Sequence, residues 1–368
     1  MTSLVFVFSF ITLLLSAAVV LTLKKTLDPG WAFRPALFRN TVRRGKILKG
    51  VLLVLRGLFG LLMAALLVLY AFFPLRTPVP EGIVARHDTA LIARGRYLAE
   101  AVLACNQCHA PRDFSRFSGP VIPGRAWEGT RFPAIEKGLP GVLFGANLTP
   151  AHLGTWSDGE LYRLLTTGIR KNGEPVFPIM SYPAFSRMDP ADVRAVIAYL
   201  RTLRPVTHAM PESRISFPLN LIMRAFPRAV EPIPLNTLNT PEQKGEYLVT
   251  IAHCAYCHTP VKNGQEVEEM AFAGGHEFTP PTGGIVRSPN LTPARTGLGT
   301  WTEEAFLSRF KAYRDTTRIH RVEAGGFNSV MPWTLYARMT DEDLRNIYRY
   351  LRTLKPIEHP VERFSAPR

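Results

Sequence analysis

Two five-residue stretches carry the chemistry of this chain: Cys105-Asn106-Gln107-Cys108-His109 and Cys254-Ala255-Tyr256-Cys257-His258. Each reads C-x-x-C-H, the attachment pattern for c-type haem. On a helical turn, residues three and four apart share a face. Two thiols can then reach the two vinyl groups of one porphyrin as thioethers, and the adjoining His offers a ring nitrogen to the iron. The competing readings are a chance C-x-x-C and a zinc ligand pair. Both must account for two motifs that use all four cysteines, each followed by His. A disulfide framework suits a short secreted chain, not 368 residues with no cysteine outside the motifs. The expected cofactors are two covalently bound haem c groups, one on Cys105, Cys108 and His109, the other on Cys254, Cys257 and His258.

A haem held by one His leaves its other face to be decided. An open face binds oxygen, peroxide or carbon monoxide; a face closed by Met gives an electron carrier of raised potential. Among nine methionines, two pairs recur 151 residues apart, Met180 with Met331 and Met188 with Met339. The first pair sits in loop sequence, Pro178-Ile179-Met180-Ser181-Tyr182-Pro183 and Val330-Met331-Pro332-Trp333, where a side chain can reach over a porphyrin. The second pair directly precedes a helix, where an apolar residue acts as a staple. Met180 and Met331 are the expected iron ligands, and Met188 and Met339 the expected core residues. His152, His276 and His320 have no counterpart in the other motif's surroundings, and His253 adjoins Cys254 too closely to cross to the far face. Asn147, Asn290, Trp156 and Trp301 recur, and either support the haem propionates or wall the haem edge, or serve a purely structural role.

These residues lie in an internal repeat. Arg94-Gly95-Arg96-Tyr97-Leu98 matches Lys244-Gly245-Glu246-Tyr247-Leu248, Asn147-Leu148-Thr149-Pro150 matches Asn290-Leu291-Thr292-Pro293, and Tyr199-Leu200-Arg201-Thr202-Leu203 matches Tyr350-Leu351-Arg352-Thr353-Leu354. Order is kept and the offset stays between 143 and 151 residues, the mark of two copies of one unit. Each copy ends in an amphipathic helix. Asp189 is the expected N-cap before Pro190, with Val193, Val196, Ile197, Leu200 and Leu203 on one stripe. Thr340 caps the second, with Asp343 three residues on in a variant capping box and Leu344, Ile347, Tyr348, Leu351 and Leu354 on its stripe. Gly95 and Gly245 let a second helix approach closely, with Tyr199 and Tyr350 packed over them.

Ahead of the repeat lie two apolar runs. Thr2 to Leu23 is 22 residues without a charge, long enough to span a bilayer. No Lys or Arg precedes it, so a retained helix is favoured over a cleaved signal peptide. The second run, Ile47 to Phe73, is broken by Lys49 and Arg56; a buried core helix is its rival reading. Between Lys24 and Arg56 nine basic residues and one acid net +8 of the chain's +15. That concentration argues against nucleic acid and for a basic cytoplasmic loop between two membrane helices, with everything after residue 74 outside, in a bacterial periplasm.

With these motifs in place, residues 85–357 resemble the membrane-associated multi-haem cytochrome c subunits of bacterial alcohol, aldehyde and gluconate dehydrogenases. The matching pieces are C-x-x-C-H, Asn-Leu-Thr-Pro with the following Gly-Thr-Trp, and Met-Pro before the acid-capped helix ending Tyr-Leu-Arg-Thr-Leu. The resemblance implies the small helical cytochrome c fold twice, with His109 and Met180 on one iron and His258 and Met331 on the other. Those subunits usually carry three haems, where this chain has two motifs. Two N-terminal helices before two haem domains also resemble, in layout only, the di-haem subunit of cbb3-type oxidases.

The expected architecture is all-α. Residues 1–75 form a membrane anchor with helices at about 2–23 and 51–73. Residues 76–206 form a first cytochrome c domain, 207–240 a Pro-rich linker, and 241–368 a second cytochrome c domain. The linker stretch Phe217 to Phe226 is a candidate short helix, packed between the domains or against a membrane. The expected function is that of a non-catalytic electron-transfer subunit, passing single electrons in the periplasm to or from a membrane dehydrogenase, an oxidase or a soluble cytochrome. The alternative is a di-haem peroxidase-type enzyme, which needs an open iron. A haem-based sensor needs an output domain, and residues 358–368 are too short to hold one.

Overall fold

The sequence has no proline between Pro35 and Pro74, and one helix, α1 (Ala36–Phe72), fills that interval. A computed structural model describes residues 36–72, 77–84, 88–132, 140–226 and 230–367, with backbone alone for 36–48, 69 and 71–72. The expected first membrane helix, 2–23, lies outside the described residues. The chain divides into two units, Met1–Pro74 and Leu75–Arg368.

In the first unit, Lys49–Val68 is long and apolar enough to cross a membrane, with a mean hydropathy of 2.6 and none of it buried. Among the described residues its leucines are bare, Leu61 being 70% exposed. The helix begins about fifteen residues before the expected start at 51. The stretch carrying Arg39, Arg43, Arg44 and Lys46 is therefore helical rather than loop, since Arg and Lys are good helix formers and no breaker interrupts them.

In the second unit the longer helices are α2 (Thr89–Tyr97), α3 (Asp158–Thr167), α4 (Pro190–Arg201), α5 (Pro241–Ile251), α6 (Glu303–Lys311) and α7 (Asp341–Thr353). Strands among the described residues are only two or three residues long. The architecture is thus helical, with small ladders such as Glu277–Phe278, Ile285–Arg287 and Phe364–Ser365 pinning loops together.

Helix α2 packs on α4 and α5 packs on α7. Glycine makes both crossings possible. A Cβ on Gly95 would lie 1.8 Å from the Ala195 carbonyl oxygen, and one on Gly245 would lie 2.0 Å from that of Asn346. Tyr199 and Tyr350 cover these glycines as the repeat suggests, their Cβ atoms 2.9 and 2.8 Å from the same points. The caps also form as read: Asp189 accepts from the Ala191 amide and Thr340 from the Asp343 amide. Val193, Val196, Ile197 and Leu200 of α4 and Leu344, Ile347 and Leu351 of α7 are buried in one continuous core drawn from both halves.

The expected linker is not a free strap. The His208 carbonyl receives Asn147 Nδ2 at 3.1 Å, Gly141–Val142 pairs with Arg214–Ile215, and the Ile233 amide donates to Arg187 O at 2.9 Å. It is laced along the first half. Within it Leu219–Ile222 is a single helical turn, with Phe217, Ile222 and Phe226 exposed and Met223 buried.

Candidate functional site

Each C-x-x-C-H stretch is a turn of helix, Asn106–His109 and Cys254–His258. In the first, the amides of Cys108 and His109 both donate to the Cys105 carbonyl, at 3.1 and 2.9 Å. Cysteines three apart therefore share a face, the arrangement one porphyrin edge requires. The residue before each first cysteine is in the left-handed region: Ala104 at φ +48° and His253 at φ +58°. Such a conformation is uncommon for a residue with a Cβ and clusters at functional sites. Ahead of the first motif α2 runs on through a π turn, Leu98–Val102, and the Cys105 amide reaches back to Ala99 O at 3.0 Å.

The four cysteines form no disulfide with one another. Burial pushes the Cys105, Cys254 and Cys257 thiols up to about 12. Among the described residues no group of three His, Cys, Asp or Glu side chains is placed to hold a metal ion.

The two motif histidines are oriented alike. His109 Nδ1 lies 2.8 Å from Ala146 O, and His258 Nδ1 lies 2.9 Å from Pro289 O. A carbonyl only accepts, so Nδ1 carries the proton and Nε2 keeps its lone pair for a metal. Burial pushes both imidazoles down, His258 to about 4, which keeps the rings neutral. These residues fit haem c: paired thiols on one helical turn beside a neutral, pre-oriented imidazole.

The carbonyls that orient the rings are themselves held. Asn147 follows Ala146, and Asn290 follows Pro289. Asn147 Oδ1 accepts from the Thr149 amide and hydroxyl at 2.8 and 2.7 Å, while its Nδ2 reaches Val206 O at 2.8 Å. Asn290 repeats this with Thr292, at 2.8 Å for both bonds, and with Ile357 O at 2.8 Å. Asn-Leu-Thr-Pro is therefore a buckle between the histidine's carbonyl and the segment leaving α4 or α7. Both asparagines are buried with these bonds made inside the protein. Trp156 and Trp301 are half-buried, and their carbonyls receive Arg201 and the Tyr348 hydroxyl at 2.5 and 2.6 Å.

Met180 and Met331 lie half-buried in matching turns, the Tyr182 amide donating to Met180 O at 2.7 Å and the Trp333 amide to Met331 O at 2.8 Å. Met188 and Met339 are each 2% exposed, in the core. Of the unmatched histidines, His152 and His320 are exposed. His276 is not remote: its Nδ1 lies 2.9 Å from Tyr256 O inside the second motif, and its ring stacks on Phe278 at 4.5 Å. Sequence reading had no signal for that contact, because it pairs residues 20 apart through a loop.

Residues 242–355 match the cytochrome c family model, and this part of the chain is a cytochrome c domain, the domain that carries covalently bound haem c. The chain is similar to the cytochrome c subunit of the quinone alcohol dehydrogenase of Gluconacetobacter polyoxogenes, 30% identical over 73% of this chain and 57% of that protein. It is similar in the same way to the gluconate 2-dehydrogenase cytochrome c subunit of Pantoea cypripedii, 28% identical over 73% of this chain and 60% of that one. A diheme cytochrome c-type protein of Cereibacter sphaeroides is 28% identical over 69% of this chain and 83% of its own length. The chain thus resembles the cytochrome c subunits of bacterial dehydrogenases, and spans somewhat over half the length of the two dehydrogenase subunits.

Proposed function

We propose that the chain is a membrane-anchored di-haem cytochrome that carries single electrons on the periplasmic face of a bacterial inner membrane, as the redox subunit or partner of a membrane dehydrogenase. In this reading 1–75 is the anchor, with membrane helices at about 2–23 and within α1. Residues 76–206 are a first cytochrome c domain, 207–240 connect, and 241–368 are the second. Cys105, Cys108 and His109 hold one haem, and Cys254, Cys257 and His258 the other. Met180 and Met331 close the two irons.

The observation that carries the reading is the duplicated histidine geometry, His109 on Ala146 O and His258 on Pro289 O, each carbonyl fixed by its own Asn-Thr buckle. A second half that alone matches the family model would not require the first half to reproduce that support. Haem c, when bound, supplies the one-electron redox change; the chain supplies position, burial and ligation. Neutral imidazoles and methionine loops suit a closed coordination sphere that changes little when an electron arrives. The similarity to dehydrogenase cytochrome subunits supports a dehydrogenase as the partner.

Intact-mass measurement of the chain matured in a host that attaches haem c tests the reading. Two haem additions are expected. Removing Cys105 and Cys108 should delete one, and removing Cys254 and Cys257 the other. A single addition that survives loss of Cys105 and Cys108 would take the first half out of the proposal.

A further inference from the structure

The loop carrying Met331 is held from the other half of the molecule. Ser118, ten residues past Cys108, is fully buried with φ +63°. Its hydroxyl donates to Met331 O at 2.7 Å and accepts from the Trp333 amide at 3.0 Å. Its own amide donates to Asn328 Oδ1 at 2.8 Å, and Asn328, also fully buried, donates through Nδ2 to Phe114 O at 2.9 Å. A seam continues along the same loops: the Phe117 amide donates to His320 O at 3.0 Å and the Val322 amide to Ser115 O at 2.8 Å. The Met180 turn differs. Among the described residues its carbonyl receives the Tyr182 amide and no side chain from the second half.

We infer that Ser118 is a positioning residue for the second iron centre, holding the Met331 loop of one half from the other. This rests on the reading that Met331 is an iron ligand. A loop that must keep a thioether on a metal works against its own tendency to swing away, and a weak bond is set by how firmly its carrier is fixed. Ser118 bonds both the carbonyl of Met331 and the amide two residues on, so it fixes the turn on either side of the side chain. Its left-handed backbone, costly for a serine, aims the hydroxyl there. The two centres are therefore unequal despite matching ligands: Met331 is clamped across the interface, and Met180 is held by its own turn.

The test uses the full-length holoprotein in the Met180→Ala background, where a methionine-to-iron charge-transfer band can come only from the second centre. Ser118→Gly and Ser118→Ala both remove the hydroxyl, but glycine is at ease at positive φ and alanine is not. A shared effect therefore belongs to the hydroxyl and not to backbone strain. Two hydrogen bonds of ordinary strength are lost, so the methionine off-state should rise on the order of tenfold. The oxidised band should weaken, the reduced centre should bind carbon monoxide more readily, and its potential should fall, with haem still attached. An unchanged band and potential in Ser118→Gly, while Met331→Ala abolishes the band, would overturn the role of Ser118 alone. A band that survives Met331→Ala would overturn the ligand reading and this inference with it.

Discussion

The hydroxyl of Tyr247 donates to Asp192 Oδ2 at 2.7 Å and accepts the backbone N–H of Asp189 at 3.2 Å. Tyr247 belongs to the second half of the repeat, Asp189 and Asp192 to the first. The mirror contact is present: Tyr97 of the first half bonds Asp343 and accepts the Thr340 amide at 3.2 Å. In a capping box the acid at the third helical position accepts directly from the N-cap amide. Here a tyrosine from the opposite half stands between the two, so the other copy adds to the caps that Asp189 and Thr340 supply to α4 and α7. Each half thus completes the other's helix start within the one compact unit Leu75–Arg368.

Tyr247→Phe tests that exchange. Asp192 and Tyr247 are each 2% exposed, and Asp192 also binds Arg94 through both oxygens at 2.9 and 2.7 Å. Losing a donor to a buried carboxylate costs about 1.5–3 kcal/mol. Tyr97→Phe should cost less, because Tyr97 and Asp343 are only half-buried. Denaturant unfolding of the two variants checks the order, and equal costs would count against burial as the reason.

Gly245→Ala should destabilise the second half by more than ordinary overpacking, which costs about 1–3 kcal/mol, since the new methyl would sit 2.0 Å from a backbone oxygen of α7. Gly95→Ala should behave alike in the first half, at 1.8 Å. Thermal unfolding of each variant against wild type is the measurement. A shift of a degree or less would mean that the helix pairs can separate freely.

His253 gives the acid side of the stability profile. Its ring stacks on Tyr256 at 4.9 Å, and burial pushes its imidazole down to about 4. Between the ordinary value near 6.5 and about 4, the unfolded chain binds a proton that the folded chain refuses. The stabilisation is full above 6.5, falls as pH drops through that window, and levels out below about 4. Its size is on the order of 3 kcal/mol. His253→Asn keeps a residue tolerant of the left-handed backbone and removes the titration. The difference in unfolding free energy between wild type and variant should slope with pH between 4 and 6.5, and a flat difference would contradict the assignment.

The parts of the site written in local spacing were readable from sequence. C-x-x-C-H, the glycines at 95 and 245, the caps at Asp189 and Thr340, and the core places of Met188 and Met339 follow from residue type and period. What escaped depends on tertiary partners. Nothing in an alanine at 104 signals a left-handed backbone, and a histidine at 253, though enriched there over most residues, adopts one in only a small minority of places. Asn147 and Asn290 recur visibly, but their use as buckles for Ala146 and Pro289 carbonyls needs Val206 and Ile357, each about 60 residues away. Ser118 has no counterpart in the repeat, so periodicity could not single it out. The early start of α1 follows from the absence of proline between Pro35 and Pro74, a stronger signal than the basic residues, which helices and loops both accept.

The spin state of the intact holoprotein reads out whether each of two irons is closed by a His and a Met, as proposed. Electron paramagnetic resonance of the oxidised chain should show two low-spin irons and no high-spin signal. Met180→Ala and Met331→Ala should each open one of them, with the haem still attached and that centre now binding carbon monoxide when reduced. A high-spin iron in the unmodified protein, or a centre opened by Met339→Ala and not by Met331→Ala, would contradict the account.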